Sequence, residues 1–183
     1  MINQSEILKA LQSKTQPADW DAVYESEISR IYNYFLYKVC DRELAQDLTA
    51  TTFERAWKAR TQYQARLASP GTWLLGIARN ILREDLRRNK VINNKEELLD
   101  EKEKLPSKED VEANFEERQD KVLLQNFLLE LPEREHDLLA LKYGGGLSNR
   151  EISKVTGVSE TNVGSILHRT VTSLRRKWDE YHE

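Results

Sequence analysis

The stretch Ser148-Asn-Arg-Glu-Ile-Ser-Lys-Val-Thr-Gly157-Val-Ser-Glu-Thr-Asn-Val-Gly-Ser-Ile-Leu-His168 decides the fold. Ser148 stands ahead of a short helix from Asn149 to about Thr156, and Glu151 three residues on completes the Ser-x-x-Glu capping box. Gly157 ends that helix because it can take the positive φ of a tight turn. Ser159 caps a second helix, from Glu160 to about Trp178. Ser153 falls where two helices approach closely. Val163 packs back on the first helix, and Ile152, Val158 and Ile166 complete a small core. This spacing predicts a helix-turn-helix, with an ordinary αα-hairpin as the alternative. Thr161, Asn162, Ser165, His168 and Arg169 share the outer face with Glu160, and short polar side chains near a helix N-terminus suit the major groove. Arg175, Arg176 and Lys177 end the helix, as phosphate contacts or as complements to its dipole.

Upstream, Lys121–Leu131 reads as an apolar helix stopped by Pro132, and Glu133–Tyr143 as a second helix broken by Gly144–Gly146. Before these lies an acidic segment. Residues 91–120 carry 5 Lys/Arg against 11 Asp/Glu, whereas residues 1–90 carry 14 against 11. Few large apolar residues interrupt those charges, so 91–120 is expected to be a solvated, flexible linker between two cores. A surface helix over Lys95–Lys104 is the alternative.

The N-terminal part is helical throughout. Trp20, Val23, Tyr24, Ile28, Ile31, Phe35 and Val39 form one apolar face. A second helix, about Arg42–Arg60, has Asp41 as its N-cap and Leu44, Ala45, Leu48, Phe53, Ala56 and Trp57 as apolar positions. A turn region follows. A third helix, about Thr72–Lys90, carries Trp73, Leu74, Ile77, Ala78, Ile81, Leu82 and Leu86 inward and a run of basic residues to its end. Aromatic residues near those cations, Tyr63 and Trp73, suit single-stranded nucleic acid, with charge for phosphate and rings for unstacked bases. A core with a solvated basic face explains the same residues.

The 183 residues carry a net charge of −3, and 32 % are charged. No apolar run approaches the roughly 18–20 residues of a membrane helix, and the first residues carry no secretory pattern. The single cysteine, Cys40, excludes an intrachain disulfide and a Cys-rich metal site. No HExxH, phosphate-binding loop, GxGxxG or GxSxG stretch is present. The chain is therefore expected to be cytoplasmic and not an enzyme, without membrane insertion, metal or cofactor. The fold class is all-α, with two small helical domains, 1–90 and 121–183, joined by the linker.

Three ordered motifs resemble one family. Asp47-Leu-Thr-Ala-Thr-Thr-Phe-Glu-Arg-Ala-Trp57 resembles the DLTQETFxRAW signature of sigma factors. Thr72-Trp-Leu-Leu-Gly-Ile-Ala-Arg-Asn-Ile-Leu-Arg-Glu-Asp-Leu-Arg-Arg88 resembles their aWLyxIArNxxxDxxRR segment. Leu129-Glu-Leu-Pro132 with Gly145-Gly-Leu-Ser-Asn-Arg-Glu-Ile-Ser resembles the LP … GLSyxEIA opening of their C-terminal domain. The short two-domain form is similar to the extracytoplasmic-function (ECF) group of sigma-70-type factors.

The resemblance implies a subunit that brings bacterial RNA polymerase core to promoter DNA. Region 2 would dock on the clamp helices of the largest subunit and melt and read the −10 element. Region 4 would sit on the flap of the second-largest subunit and read the −35 element. By motif, Asp47, Thr51, Glu54 and Arg55 fall on the polymerase-docking helix. Tyr63 and Arg66 fall on the base-capturing loop, and Trp73, Arg79, Asn80, Arg83, Arg87 and Arg88 on the −10 helix. Thr161, Asn162, Ser165, His168 and Arg169 fall on the −35 helix. An anti-sigma factor is a further expected partner. Two departures stand out. Ala50-Thr51 occupies the place of a frequent Gln-Glu, and Val163-Gly-Ser-Ile-Leu-His-Arg-Thr-Val171 lacks three cations frequent in that helix. A stand-alone helix-turn-helix regulator is the alternative function.

Overall fold

A computed structural model describes residues 19–93 and 115–182, with the side chains of 19–88 and 119–182. Residues 94–114 of the expected linker lie outside the described residues, and the linker's two expected ends, 91–93 and 115–120, are helical. Among the described residues there are seven α-helices and no strand, as the sequence pattern predicts.

Helix α1 spans Trp20–Val39, and Asp19 caps it by accepting from the backbone N–H groups of Asp21 and Ala22. Helix α2 spans Arg42–Ala59, capped as expected by Asp41, whose carboxylate accepts from the Leu44 N–H at 3.0 Å. Its buried residues, Ala45, Leu48, Thr49, Thr52 and Ala56, follow helical periodicity and form the stripe against α1 and the following helix. Trp57 falls well outside that stripe and is 53 % exposed, so its expected inward position is corrected. Its ring instead supports the Arg60 guanidinium, 4.1 Å from the ring centroid. A 3₁₀ turn, Arg60–Gln62, leads through a loop into α3, Pro70–Asn93. Leu74, Leu75, Ala78, Ile81 and Leu82 of α3 are buried, whereas Leu86, expected inward, is 45 % exposed.

Helix α4 spans Phe115–Leu129, and α5 spans Glu133–Leu139 after Pro132. The single helix expected over Glu133–Tyr143 changes pitch: Ala140–Gly144 is a π-turn, in which the Gly145 N–H reaches the Ala140 carbonyl at 2.8 Å. Helix α6, Asn149–Thr156, carries the full capping box: Ser148 accepts from the Glu151 N–H, and Glu151 accepts from the Ser148 N–H at 2.9 Å. Gly157 closes it at φ 76°. Helix α7 runs Glu160–His182 and packs on α6 through Val163 and Ile166, with Ile152 fully buried between them.

The two helical units do not have separate cores. The π-turn lies along α1, α6 packs on α3, and the buried apolar residues of both units form one continuous cluster. Its members include Tyr34, Phe35 and Leu75 from one unit and Leu138, Leu141 and Leu147 from the other, all nearly or fully buried. The expectation that an acidic segment keeps two cores apart is corrected. Charge patterning along the chain reports what the segment is solvated by. It carries no information on whether the apolar faces either side of it meet.

Candidate nucleic-acid interface

The outer face of α2 is polar and exposed. Asp47 and Glu54 stand out to solvent, with Thr51 partly covered between them. Thr51 turns its hydroxyl back to the Asp47 carbonyl at 2.8 Å, as Ser and Thr do within helices. Glu54 pairs with Lys58 at 2.6 Å, and that contact lowers its carboxyl pKa. Arg55 leaves this group. It turns toward α3 and grips both carboxylate oxygens of Glu84, at 3.0 and 2.9 Å. Three of the four residues expected to dock the polymerase thus share one face, and the fourth flanks it.

The loop between α2 and α3 is organised by rings. Trp20, Tyr63 and Trp73 form a triangle with centroids 5.4 to 5.6 Å apart. The Tyr63 hydroxyl donates to the Ala68 carbonyl at 3.0 Å, which closes the loop on itself. Partial burial pushes the Tyr63 phenol above its ordinary pKa. Arg66 is exposed on this loop and donates to the Gln64 side-chain oxygen at 2.9 Å. Tyr63 and Trp73 therefore offer edges of an assembled cluster, not isolated stacking faces.

Along α3, Asn80, Arg83, Arg87 and Arg88 are exposed. Arg79 is not. Its Nε donates to Asp137 Oδ2 at 2.6 Å across the boundary between the two units, and each side chain is only 12 % exposed. The same carboxylate accepts from the Tyr34 hydroxyl at 3.2 Å. Burial first, and Asp137 second, push the Tyr34 phenol well above its ordinary pKa, so it stays a donor. Lys38 lies beside this group, and burial lowers its pKa despite Asp137 and Glu133.

Further bonds cross the same boundary. Arg30 donates from Nε to the Gly145 carbonyl and from Nη2 to the Gly146 carbonyl. Thr72 donates to Glu151 at 3.0 Å, and Nε2 of His136 donates to the Tyr37 carbonyl at 2.7 Å. No sequence signal pointed to Asp137 or to a role for the glycine run beyond breaking a helix. The partners stand far apart in the chain, and only the packed structure joins them.

On α7, Thr161, Asn162, Ser165, His168 and Arg169 are all exposed and face outward together, as the helical spacing predicts. Ser165 donates to the Thr161 carbonyl at 3.0 Å. Arg176, read from sequence only as part of the helix end, shares a shallow cleft with His168, Arg169 and Thr172. The outward face thus extends two turns beyond the expected set. Among the described residues no cluster of His, Cys, Asp and Glu could hold a metal ion, and no helix is long and apolar enough to cross a membrane.

Two family models match the chain. Residues 23–91 match sigma-70 region 2 and residues 121–174 match sigma-70 region 4. The chain is 27 % identical over 157 residues to the ECF RNA polymerase sigma factor SigM of Bacillus subtilis, covering 85 % of this chain and 92 % of that one. It is 27 % identical to the ECF RNA polymerase sigma factor BldN of Streptomyces coelicolor, covering 95 % of this chain and 67 % of that one. In fold it is similar to the sigma factor RpoE of Bartonella quintana, solved with the anti-sigma factor NepR: the TM-score is 0.68 at 15 % identity, over 86 % of this chain and 95 % of that one. CnrH, solved with the cytosolic domain of CnrY, gives a TM-score of 0.59 at 18 % identity, over 95 % of this chain and 96 % of that one.

Proposed function

We propose that this chain, which belongs to the extracytoplasmic-function group of sigma-70 factors, directs RNA polymerase to promoters by docking on the core with the α2 face and reading DNA with α3 and α7. The observation that carries this reading is the separation of roles over exposed surfaces. A polar face on α2, with Asp47, Thr51 and Glu54, stands apart from the outward face of α7. One surface suits a protein partner with complementary charge, and the other suits a major groove.

In this reading Asp47, Thr51, Glu54 and Arg55 meet the clamp helices of the largest polymerase subunit, and region 4 meets the flap of the second-largest. Tyr63, Arg66, Trp73, Arg79, Asn80, Arg83, Arg87 and Arg88 hold the melted −10 strand. Thr161, Asn162, Ser165, His168 and Arg169 read the −35 duplex. The chain supplies no reacting group, and nucleotide addition belongs to the polymerase. An anti-sigma factor is a proposed partner, since the two solved relatives of this fold are each bound to another protein, NepR explicitly an anti-sigma factor. The setting this implies is the cytoplasm.

The experiment is RNA sequencing from cells overproducing the chain, followed by permanganate footprinting of an affected promoter with purified core. New transcripts sharing a −10 and −35 pair, with melted thymines only when the chain is present, are expected. Alanine at Arg87 and Arg88 should reduce melting and spare core binding. Transcripts that change without a shared promoter pair would contradict the reading.

A further inference from the structure

Arg79 has two competing demands on it. In the proposed function it holds DNA, yet its guanidinium sits in the boundary between the two units with Asp137, both 12 % exposed, and Nη1 points to the Val155 carbonyl at 3.4 Å. A phosphate cannot reach a cation so enclosed. The two DNA elements also lie apart. Positions about 25 base pairs apart on B-DNA are separated by roughly 85 Å, whereas the units here share direct hydrogen bonds such as Thr72 to Glu151 at 3.0 Å. The arrangement that buries Arg79 therefore cannot span both elements.

We propose that Asp137 is an autoinhibitory latch: it takes Arg79 out of reach of DNA and closes region 4 on region 2 until the two units part. The proposal rests on the reading of Arg79 as a −10 contact. Its energetics suit a reversible device. A buried ion pair adds little net stability, because desolvation offsets attraction, but losing one partner leaves an uncompensated charge in a dry site. When the units separate, both Arg79 and Asp137 regain water together, so opening carries no such penalty. Tyr34 satisfies the second carboxylate oxygen at 3.2 Å, which holds Asp137 in the geometry that meets Arg79. The latch is helped by shape: a Cβ at Gly144 would lie 2.8 Å from the Asn33 carbonyl oxygen, so only glycine lets the π-turn approach α1 this closely.

Asp137→Asn keeps the shape and removes the charge. The closed form then buries Arg79 against a neutral amide, while the open form loses nothing. Gly144→Val reaches the same end by sterics, without touching the charges. Small-angle X-ray scattering of the full chain reads closure, circular dichroism checks helicity, and anisotropy with a fluorescein-labelled mixed-sequence single-stranded DNA reads access to Arg79. Both variants should keep their helicity, show a larger radius of gyration than wild type and bind the strand about tenfold more tightly or better. Arg79→Ala combined with Asp137→Asn should expand equally and lose that gain. Scattering curves of both variants that overlay wild type would overturn the latch. So would expansion without tighter DNA binding, because Asp137 would then not be guarding Arg79. Failure of the proposed function would show differently: none of the chains would join core polymerase, with the scattering contrast intact.

Discussion

Gly144 stands so close to Asn33 that a side chain could not fit between them: an added Cβ would lie 2.8 Å from the Asn33 carbonyl oxygen and 3.0 Å from the Tyr34 Cα. Both are backbone atoms of α1 and cannot swing aside. Gly144→Ala must push the π-turn off α1, and overpacking of this kind costs about 1–3 kcal/mol. Calorimetry of the full chain should show a lower Tm, by roughly 2–4 °C per kcal/mol. Gly76 is the control of opposite sign. Nothing lies within 4 Å of its added Cβ, so Gly76→Ala removes a helix-interior glycine without a clash. It should stabilise by about 0.5–1 kcal/mol. Equal effects at the two positions would contradict the packing described.

Stability should fall on the acid side of neutrality through His136. The residue is 6 % exposed, and burial first, then the Lys38 charge, holds its pKa below 6.5, against the Tyr37 carbonyl bond and Asp137. The folded pKa is the depressed one. The unfolded chain therefore takes up its proton first, and the stability present above about pH 6.5 is lost as pH falls toward the folded pKa. His182 has a raised pKa, through the Trp178 carbonyl and Asp120, and acts with the opposite sign. His136→Gln leaves His182 in place. Wild type should lose more Tm than this variant between pH 7.5 and 5.5, and parallel losses would count against His136.

Much of this fold is legible in the chain because its signals are local. Asp41 and the Ser148–Glu151 box are caps read within four residues, and Gly157 marks its own turn. The exposed faces of α2 and α7 follow from helical spacing. What escaped depends on distance or on small angular differences. Arg79 and Asp137 are 58 residues apart, and no pattern along a chain announces an ion pair between units. Trp57 is apolar and adjacent to the buried Ala56, yet one residue around a helix is a large rotation, enough to carry it to solvent. The π-turn at Ala140–Gly144 reads as ordinary helix because its sequence has no breaker before Gly144.

Charge reversal at Asp47 should separate docking from folding. Asp47 is exposed on α2, away from the buried stripe, so Asp47→Arg should leave helicity unchanged. Like charge set against a partner costs several kcal/mol, about a hundredfold or more in affinity. Titration of the variant onto core polymerase, with circular dichroism as the control, should show that loss. Unchanged affinity would move the dock off this face.

The outward face of α7 should bind duplex DNA weakly by itself, because Arg169 is offset by Glu160 across the expected reading set. Gly164→Lys adds one cation on its flank. An added Cβ there lies 3.3 Å from the Asn149 Nδ2, and that amide already accepts from Lys142, so some local adjustment accompanies the change. Gly164→Ala makes the same steric demand without charge. Anisotropy with a mixed-sequence duplex at several salt concentrations should give Gly164→Lys a salt slope steeper by about one unit than Gly164→Ala. Matching slopes would place the phosphate contacts elsewhere, with Arg175–Lys177 the next candidates.

The central claim is that this chain gives RNA polymerase its promoter choice, and its most direct test is initiation reconstituted from purified sigma-free core, the full chain and a genomic promoter identified by RNA sequencing. The account predicts a one-to-one complex with core and transcripts starting at one discrete site, absent when the chain is omitted and lost with Asp47→Arg. A chain that ignores core polymerase and binds the same promoter as a dimer would contradict it.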